Sequence, residues 1–217
     1  MPDLPSNWTK LCSAVLSDAL DAVGLFHQAL PPAIRPLDES LLLCARARTG
    51  MYMETAHVEP GSNPYELEIK LVDDLKAGEV AVLACGGSRR IAPWGGMLST
   101  ATKARGAAGC VTDGFVRDIK VIRQLGIAVF HAGIAPLDSK GRGQIMAVDV
   151  PVVCAGVRIE PGDLIVGDGD GCVVVPKARE AEVLGIAFDK LNREDSSMSE
   201  LANGAFLRDV FARHGVL

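Results

Sequence analysis

The stretch Trp94–Gly133, WGGMLSTATKARGAAGCVTDGFVRDIKVIRQLGIAVFHAG, decides the fold class. Its hydrophobic spacing changes from piece to piece. "WGGMLSTATKARG" has the composition of a compact helix and "AAGCVTDG" is a short apolar run of strand length. "VRDIKVIRQLG" returns to helical spacing before "IAVFHAG" supplies another strand. Strands that alternate with helices over so short a distance predict a layered α/β core. At its centre Gly109–Asp118, GCVTDGFVRD, brings a buried strand to an end with Arg117 and Asp118 side by side.

The flanking segments fit the same class. Upstream, "LKAGEVAVLACGG" (Leu75–Gly87) is a turn followed by an apolar run bounded by glycines, the signature of a central strand. Before it, "LLLCARARTGMYMETA" alternates as strands do, and "GLFHQALPPAIRPLDES" reads as a proline-rich surface connection. A first helix is expected from Ser6 or Asn7 to Gly24, because Leu11, Val15, Ala19, Ala22 and Val23 recur at helical spacing. Downstream, Gly143–Pro176 is rich in β-branched residues and is cut by the turns "EPGD" and "DGDG", which predicts short β-segments. Pro176 then opens a long helical stretch, with a second helical piece after Ser196. With no linker, repeat or low-complexity tract, residues 1–217 read as one domain, its C-terminal helices from about residue 176 packing on a neighbouring subunit.

Bulk properties narrow the function classes. A hydrophobic content of 48% suits an ordered protein with surface to bury between subunits. Basic residues number 22 against 27 acidic ones, a net charge of −5, and no basic cluster is interleaved with aromatics, which argues against direct nucleic-acid binding. The six cysteines are scattered through apolar runs without a C-x-x-C pair, the pattern of buried thiols in a reducing compartment. No apolar stretch of signal-peptide or membrane-spanning length occurs. The expectation is a cytoplasmic protein with no membrane partner.

Chemistry concentrates at the ends of the central strands, where ligands collect in α/β folds. Arg117 and Asp118 read either as an ordinary ion pair with Asp118 capping the next helix, or as a binding site. Upstream, Gly95 and Gly96 precede a helix whose first-turn amides at Met97 and Leu98 are free to attract a carboxylate or phosphate. If both helix starts face one cleft, those amides and Arg117 form an anion clamp, and Asp118 offers an oxygen to a hard cation such as Mg²⁺. Such a site suits a small keto or hydroxy acid. Gly95-Gly96 also reads as no more than a tight turn. Asp113 reads as a turn residue, His131 as a core or rim histidine, and Cys85 as a buried thiol.

Three motifs in order, "SDALDAVG", "WGGMLSTATKARGAAGCVTDGFVRD" and "GVRIEPGDLIVGDGDGCVVVP", resemble the RraA-like family, which includes class II 4-hydroxy-4-methyl-2-oxoglutarate aldolases and regulators of ribonuclease E. The resemblance covers roughly Leu11 to Gly204. It implies a layered β/β/α fold like a swivelling phosphohistidine domain, assembled as a homotrimer or homohexamer with sites between subunits. It also implies that Asp118 binds Mg²⁺ or Mn²⁺, that Arg117 holds a pyruvyl carboxylate, and that Glu194 reaches the metal's outer shell from an adjacent subunit. The family's aldolases carry an acidic residue, orienting water at the metal, where this chain has Gly96. The ribonuclease regulators lack the Asp of the pair, which this chain keeps. The implied activity is therefore a metal-dependent aldolase or decarboxylase that releases pyruvate from a small 2-keto acid. A non-catalytic regulator and an enzyme diverged to another keto or hydroxy acid remain the alternatives.

Overall fold

A computed structural model of the chain describes Pro5 and residues 7–216. The first half contains α1 (Ser13–Ala22), β1 (Arg35–Pro36), β2 (Leu43–Glu54), α2 (Glu66–Asp73), β3 (Glu79–Ala84), α3 (Gly96–Ala104) and β4 (Gly109–Thr112). There follow β5 (Phe115–Val116), α4 (Ile119–Leu125), β6 (Ala128–His131), β7 (Gly133–Ile134), β8 (Gly143–Val148), β9 (Val152–Cys154) and β10 (Val157–Ile159). The chain finishes with β11 (Leu164–Gly167), β12 (Cys172–Val175), α5 (Glu180–Ala202) and α6 (Leu207–His214).

The main sheet has the order β1-β6-β4-β3-β2-β11-β12, with β8 also paired to β2. Its centre, β2, β3, β4 and β6, is parallel, and the outer pairings are antiparallel. β3, β4 and β6 are buried on both faces, and their alternation sends successive residues to different layers. In β3, Val80, Val82 and Ala84 join the β9–β10 hairpin residues Val152, Cys154, Val157 and Ile159 in one core. Ala81 and Leu83 join Leu71 and Val72 of α2 and Ile122 of α4 in another. The layers are thus hairpin, sheet and helices, the expected β/β/α arrangement.

Three boundaries differ from the sequence expectation. The proline-rich segment Gly24–Ser40 is not merely a surface connection. Leu30, Ile34 and Leu37 are buried, β1 pairs with β6, and Ala29 bridges Val173 of β12, so the segment links the sheet's two outer strands. The first helix is shorter than expected, a single 3-10 turn at Trp8–Lys10 preceding α1. Ser6 lies outside the described residues, and Asn7 makes no side-chain cap. α5 runs unbroken through Ser196, because its polar stretch contains no proline and Ser196 and Ser197 return their hydroxyls to carbonyls one turn back. Pro176 precedes the 3-10 turn Lys177–Arg179 that leads into it.

The first half of α5 packs on α1 of its own chain, with Val183 and Ala187 against Val15, Leu16 and Ala19. Arg46 of β2 fixes its start through a two-pronged ion pair with Glu180. α1 is capped from far away: Asp168, in the β11–β12 turn, accepts the Ser13 amide and hydroxyl, each at 2.7 Å. Burial alone would raise the Asp168 carboxyl, but these donors outweigh it and hold the group below its usual range. Asp168→Asn should therefore cost about 1–2 kcal/mol in urea unfolding at pH 7. A lowered native value gives stability that is present above the unfolded carboxyl value of 3.8 and is lost as pH falls through the native one, so the difference between the proteins should shrink in acid.

Candidate active site

The C-terminal ends of β3 and β4 open into a short parallel extension. Phe115 and Arg117 donate their amides to the carbonyls of Ile91 and Trp94, each at 3.0 Å, and β5 pairs with β7. This extension brings the Gly95-Gly96 turn beside Arg117 and Asp118. The approach is close: a Cβ on Gly95 would stand 2.9 Å from Asp118 Oδ2 and 3.0 Å from Arg117 Cγ. At Gly96 it would lie 3.3 Å from Asp118 Cβ and from Val121 Cγ1.

Asp118 occupies the N-cap position of α4 in the left-handed region, φ 58°, yet makes no side-chain cap there. Its carboxylate turns to the neighbouring helix, where Oδ2 accepts the Gly96 amide at 3.0 Å. Met97 and Leu98, in the same first turn of α3, have amides without a hydrogen-bond partner among the described residues. Arg117 is not paired with Asp118. Its Nη2 lies 3.7 Å from Asp138 Oδ1, and the Tyr65 hydroxyl donates to Asp138 Oδ2 at 2.8 Å.

These groups line one cleft of about 290 Å³. Gly95, Gly96, Met97, Leu98, Arg117 and Asp118 line it together with Tyr65, Glu68, Asp138 and Ser139. Glu68 is buried, bonded to the Tyr52 hydroxyl at 2.5 Å and to Ser139 Oγ at 3.3 Å. Burial raises the Glu68 carboxyl above its ordinary range despite these two bonds. Burial and the hydrogen bond to Asp138 push the Tyr65 phenol up to about 12, so it stays protonated and able to donate at neutral pH. Burial would raise Asp138 as well, but Tyr65, the Lys140 amide and Arg117 together hold it low, as a carboxylate.

Part of the cleft was thus visible from the sequence. The sequence pattern missed Tyr65, Glu68, Asp138 and Ser139, which arrive from the start of α2 with its N-cap residue and from the loop before β8 and carry no spacing relation to Arg117. Glu194 does not line the cleft of its own chain; it lies on α5, 3.5 Å from Lys190 Nζ. Asp113 is a structural node, accepting the amides of Cys85, Gly87 and Ala155 at 2.5, 3.0 and 3.1 Å. His131 is buried at the end of β6, where burial lowers its basicity, and Cys85 is a buried thiol raised by the same cause.

No group of three or more His, Cys, Asp or Glu side chains positioned for a metal occurs among the described residues. A single carboxylate suits a different kind of centre. Asp118 Oδ2 is anchored by Gly96, and Oδ1 has no hydrogen-bond partner among the described residues. A hard cation that keeps most of its water, as Mg²⁺ does, fits one such oxygen next to a chelating substrate.

The RraA-like family model, described as Aldolase/RraA, matches residues 13–174, which contain the whole cleft. The chain belongs to the RraA-like family. A putative 4-hydroxy-4-methyl-2-oxoglutarate aldolase of Halalkalibacterium halodurans is 35% identical over 188 residues, covering 87% of this chain and 83% of that protein. Among solved structures, an uncharacterised protein from Pseudomonas syringae pv. tomato superposes with a TM-score of 0.82 at 30% identity, covering 94% of each chain. Streptomyces coelicolor RraAS2, described as an unusual member of the RNase ES inhibitor RraA family, gives 0.78 at 30% identity, covering 90% of this chain and 98% of its own. The aldolase and RraAS2 stand on either side of the enzyme and regulator alternatives. No helix among the described residues is long and apolar enough to cross a membrane.

Proposed function

We propose that this RraA-like protein is a divalent-metal-dependent lyase of the aldolase or decarboxylase type, releasing pyruvate from a small 2-keto acid such as 4-hydroxy-4-methyl-2-oxoglutarate or oxaloacetate. The observation that carries this reading is the convergence of Arg117, the Met97 and Leu98 amides and the open oxygen of Asp118 on one cleft. Arg117 offers a planar fork of donors to the keto acid's carboxylate, and the α3 amides add the positive end of a helix. Asp118 would hold Mg²⁺ or Mn²⁺, which when bound supplies Lewis-acid polarisation of the keto oxygen.

The residues present favour one of the two cleavages. In retro-aldol cleavage the hydroxyl proton must leave as the C3–C4 bond breaks and its electron pair moves onto the keto oxygen. Decarboxylation breaks the bond to the departing carboxylate and has no such proton to remove. Gly96 brings no carboxylate to help take that proton, so decarboxylation is expected to suffer less.

A homotrimer or homohexamer would complete the site, with Glu194 entering a neighbouring copy's cleft. Its position away from its own cleft supports this arrangement, as do the exposed apolar side chains Ile69, Met97, Val121 and Ile134 around the cleft and its supporting strands. The unpaired, mostly buried thiols support a cytoplasmic setting.

Pyruvate release from both substrates should be measured with Mg²⁺, with Mn²⁺ and with EDTA. Turnover with either cation, lost in EDTA and higher for oxaloacetate, is the expected result. Absence of turnover on both substrates would favour the second reading, a binding or regulatory protein, for which the missing acid at Gly96 and the likeness to RraAS2 speak.

A further inference from the structure

Both cleavages leave the same species, a pyruvate enolate whose C3 must gain a proton, and Gly96 supplies no group for that step. Among the residues lining the cleft, Glu68 is placed for it. Its Oε2 accepts the Tyr52 hydroxyl at 2.5 Å and the Ser139 hydroxyl at 3.3 Å, so two donors fix one edge of the carboxyl. Oε1 makes no hydrogen bond among the described residues. Nor is it one of the unpartnered side-chain atoms sealed from solvent among them, which are Trp94 Nε1, Ser99 Oγ, Thr102 Oγ1 and His131 Nδ1. Oε1 therefore keeps accessible surface, and Glu68 lines the cleft. Burial raises this carboxyl; it would raise Asp138 in the same cleft as well, but Tyr65, the Lys140 amide and Arg117 keep that group a carboxylate. Two carboxyl groups whose surroundings part them in this way divide into a proton donor and a standing charge. Every bond that holds Glu68 is made within one chain, so a neighbouring copy that completes the cleft leaves the arrangement in place.

We propose that Glu68 is the catalytic residue that protonates C3 of the pyruvate enolate through Oε1, with Tyr52 as its positioning residue. The inference rests on the reading of the cleft as a lyase site and deepens it. As the carbon–carbon bond breaks, its electron pair forms the enolate. The enolate oxygen then re-forms the carbonyl while the C2–C3 π pair takes the proton from Oε1, and Glu68 is left as a carboxylate that regains a proton from water as pyruvate departs. A carboxyl that already holds its proton cannot take another from the aldol hydroxyl, so the expected preference for decarboxylation is unchanged.

Run backwards, the protonation step exchanges the methyl hydrogens of pyruvate with solvent, so it can be read without cleaving any substrate. Proton NMR of pyruvate in D₂O with Mg²⁺ should show wild type exchanging them faster than Mg²⁺ alone. Glu68→Gln, whose amide carbonyl still accepts from Tyr52 and Ser139, should lower kcat for exchange about a hundredfold or more, with KM for pyruvate within about threefold. Loss of oxaloacetate should fall by less than about tenfold, since an enolate released unprotonated ketonises in water. Tyr52→Phe removes a single hydroxyl and should lower exchange kcat about tenfold at unchanged KM, which keeps the test decisive if Glu68→Gln does not fold. Unchanged exchange in the folded variant, or a loss carried by KM instead of kcat, overturns the proposal. So does a wild type that releases pyruvate from oxaloacetate but exchanges no methyl protons, a result that leaves the lyase standing. Exchange that is lost in Glu68→Gln, without pyruvate release from either substrate, would do the reverse. A wild type that neither exchanges nor cleaves overturns both.

Discussion

Asp118→Asn is expected to lower metal-dependent kcat/KM by roughly a thousandfold while leaving the melting temperature close to that of wild type. The two effects separate because Asp118 has two tasks. Its Oδ2 holds the Gly96 amide at the start of α3, and an asparagine carbonyl accepts the same bond. Its left-handed backbone, φ 58°, is one that asparagine adopts more readily than most residues. What asparagine removes is the charge, and with it the affinity for a hard cation. Asp118→Ala should lose the same activity and some stability as well, because it forfeits the bond to Gly96 and places an unsuited residue at positive φ, at about 1 kcal/mol. Steady-state kinetics with added Mg²⁺ and thermal unfolding of both variants check the division. Wild-type metal dependence in a folded Asp118→Asn protein would show that the cation is held elsewhere.

The parts of this site that were legible in the sequence are those whose chemistry is local. A glycine pair before a helix, and an Arg-Asp pair after an apolar strand, announce themselves because strand ends and helix starts are where such groups are useful. The remaining lining residues had no such signal. Tyr65 precedes α2 and Glu68 lies within it, a helix of eight residues bounded by loops and too short for a clear period, and Asp138 looks like any loop aspartate until Arg117 is seen 3.7 Å away. Arg117 and Asp118 are adjacent in sequence, yet their partners are Asp138 and Gly96, since the positive φ at Asp118 sends its side chain towards α3. Long-range closure was illegible for the same reason. The prolines of Gly24–Ser40 mark loops correctly, but burial of Leu30, Ile34 and Leu37 depends on a sheet edge more than 90 residues further on.

Gly109→Ala should be the most destabilising single-methyl change in the central sheet, by about 4 kcal/mol or more, with little folded protein recovered. Gly109 starts β4 at φ +148°, in register with Ala128 of β6 and Val80 of β3. A Cβ at this position would fall 1.7 Å from the Ala128 carbonyl oxygen and 2.8 Å from its carbon. The obstacle is main chain held in a parallel ladder, so no rotamer change relieves it. β4 would have to separate from β6, opening the Cys110–Val129 and Val111–Phe130 pairings. It would carry with it the strand that ends at Arg117 and Asp118. Gly185, inside α5, is the contrasting case, because a methyl group there would have no neighbour within 4 Å and the backbone is already helical. Gly185→Ala should stabilise the protein by about 0.5–1 kcal/mol through helix propensity. Urea unfolding of the two variants against wild type should therefore move the midpoint in opposite directions. A folded Gly109→Ala protein with an unchanged midpoint would show that β4 and β6 are not locked at this spacing, and the cleft their strand ends support would then be more adaptable than its packing indicates.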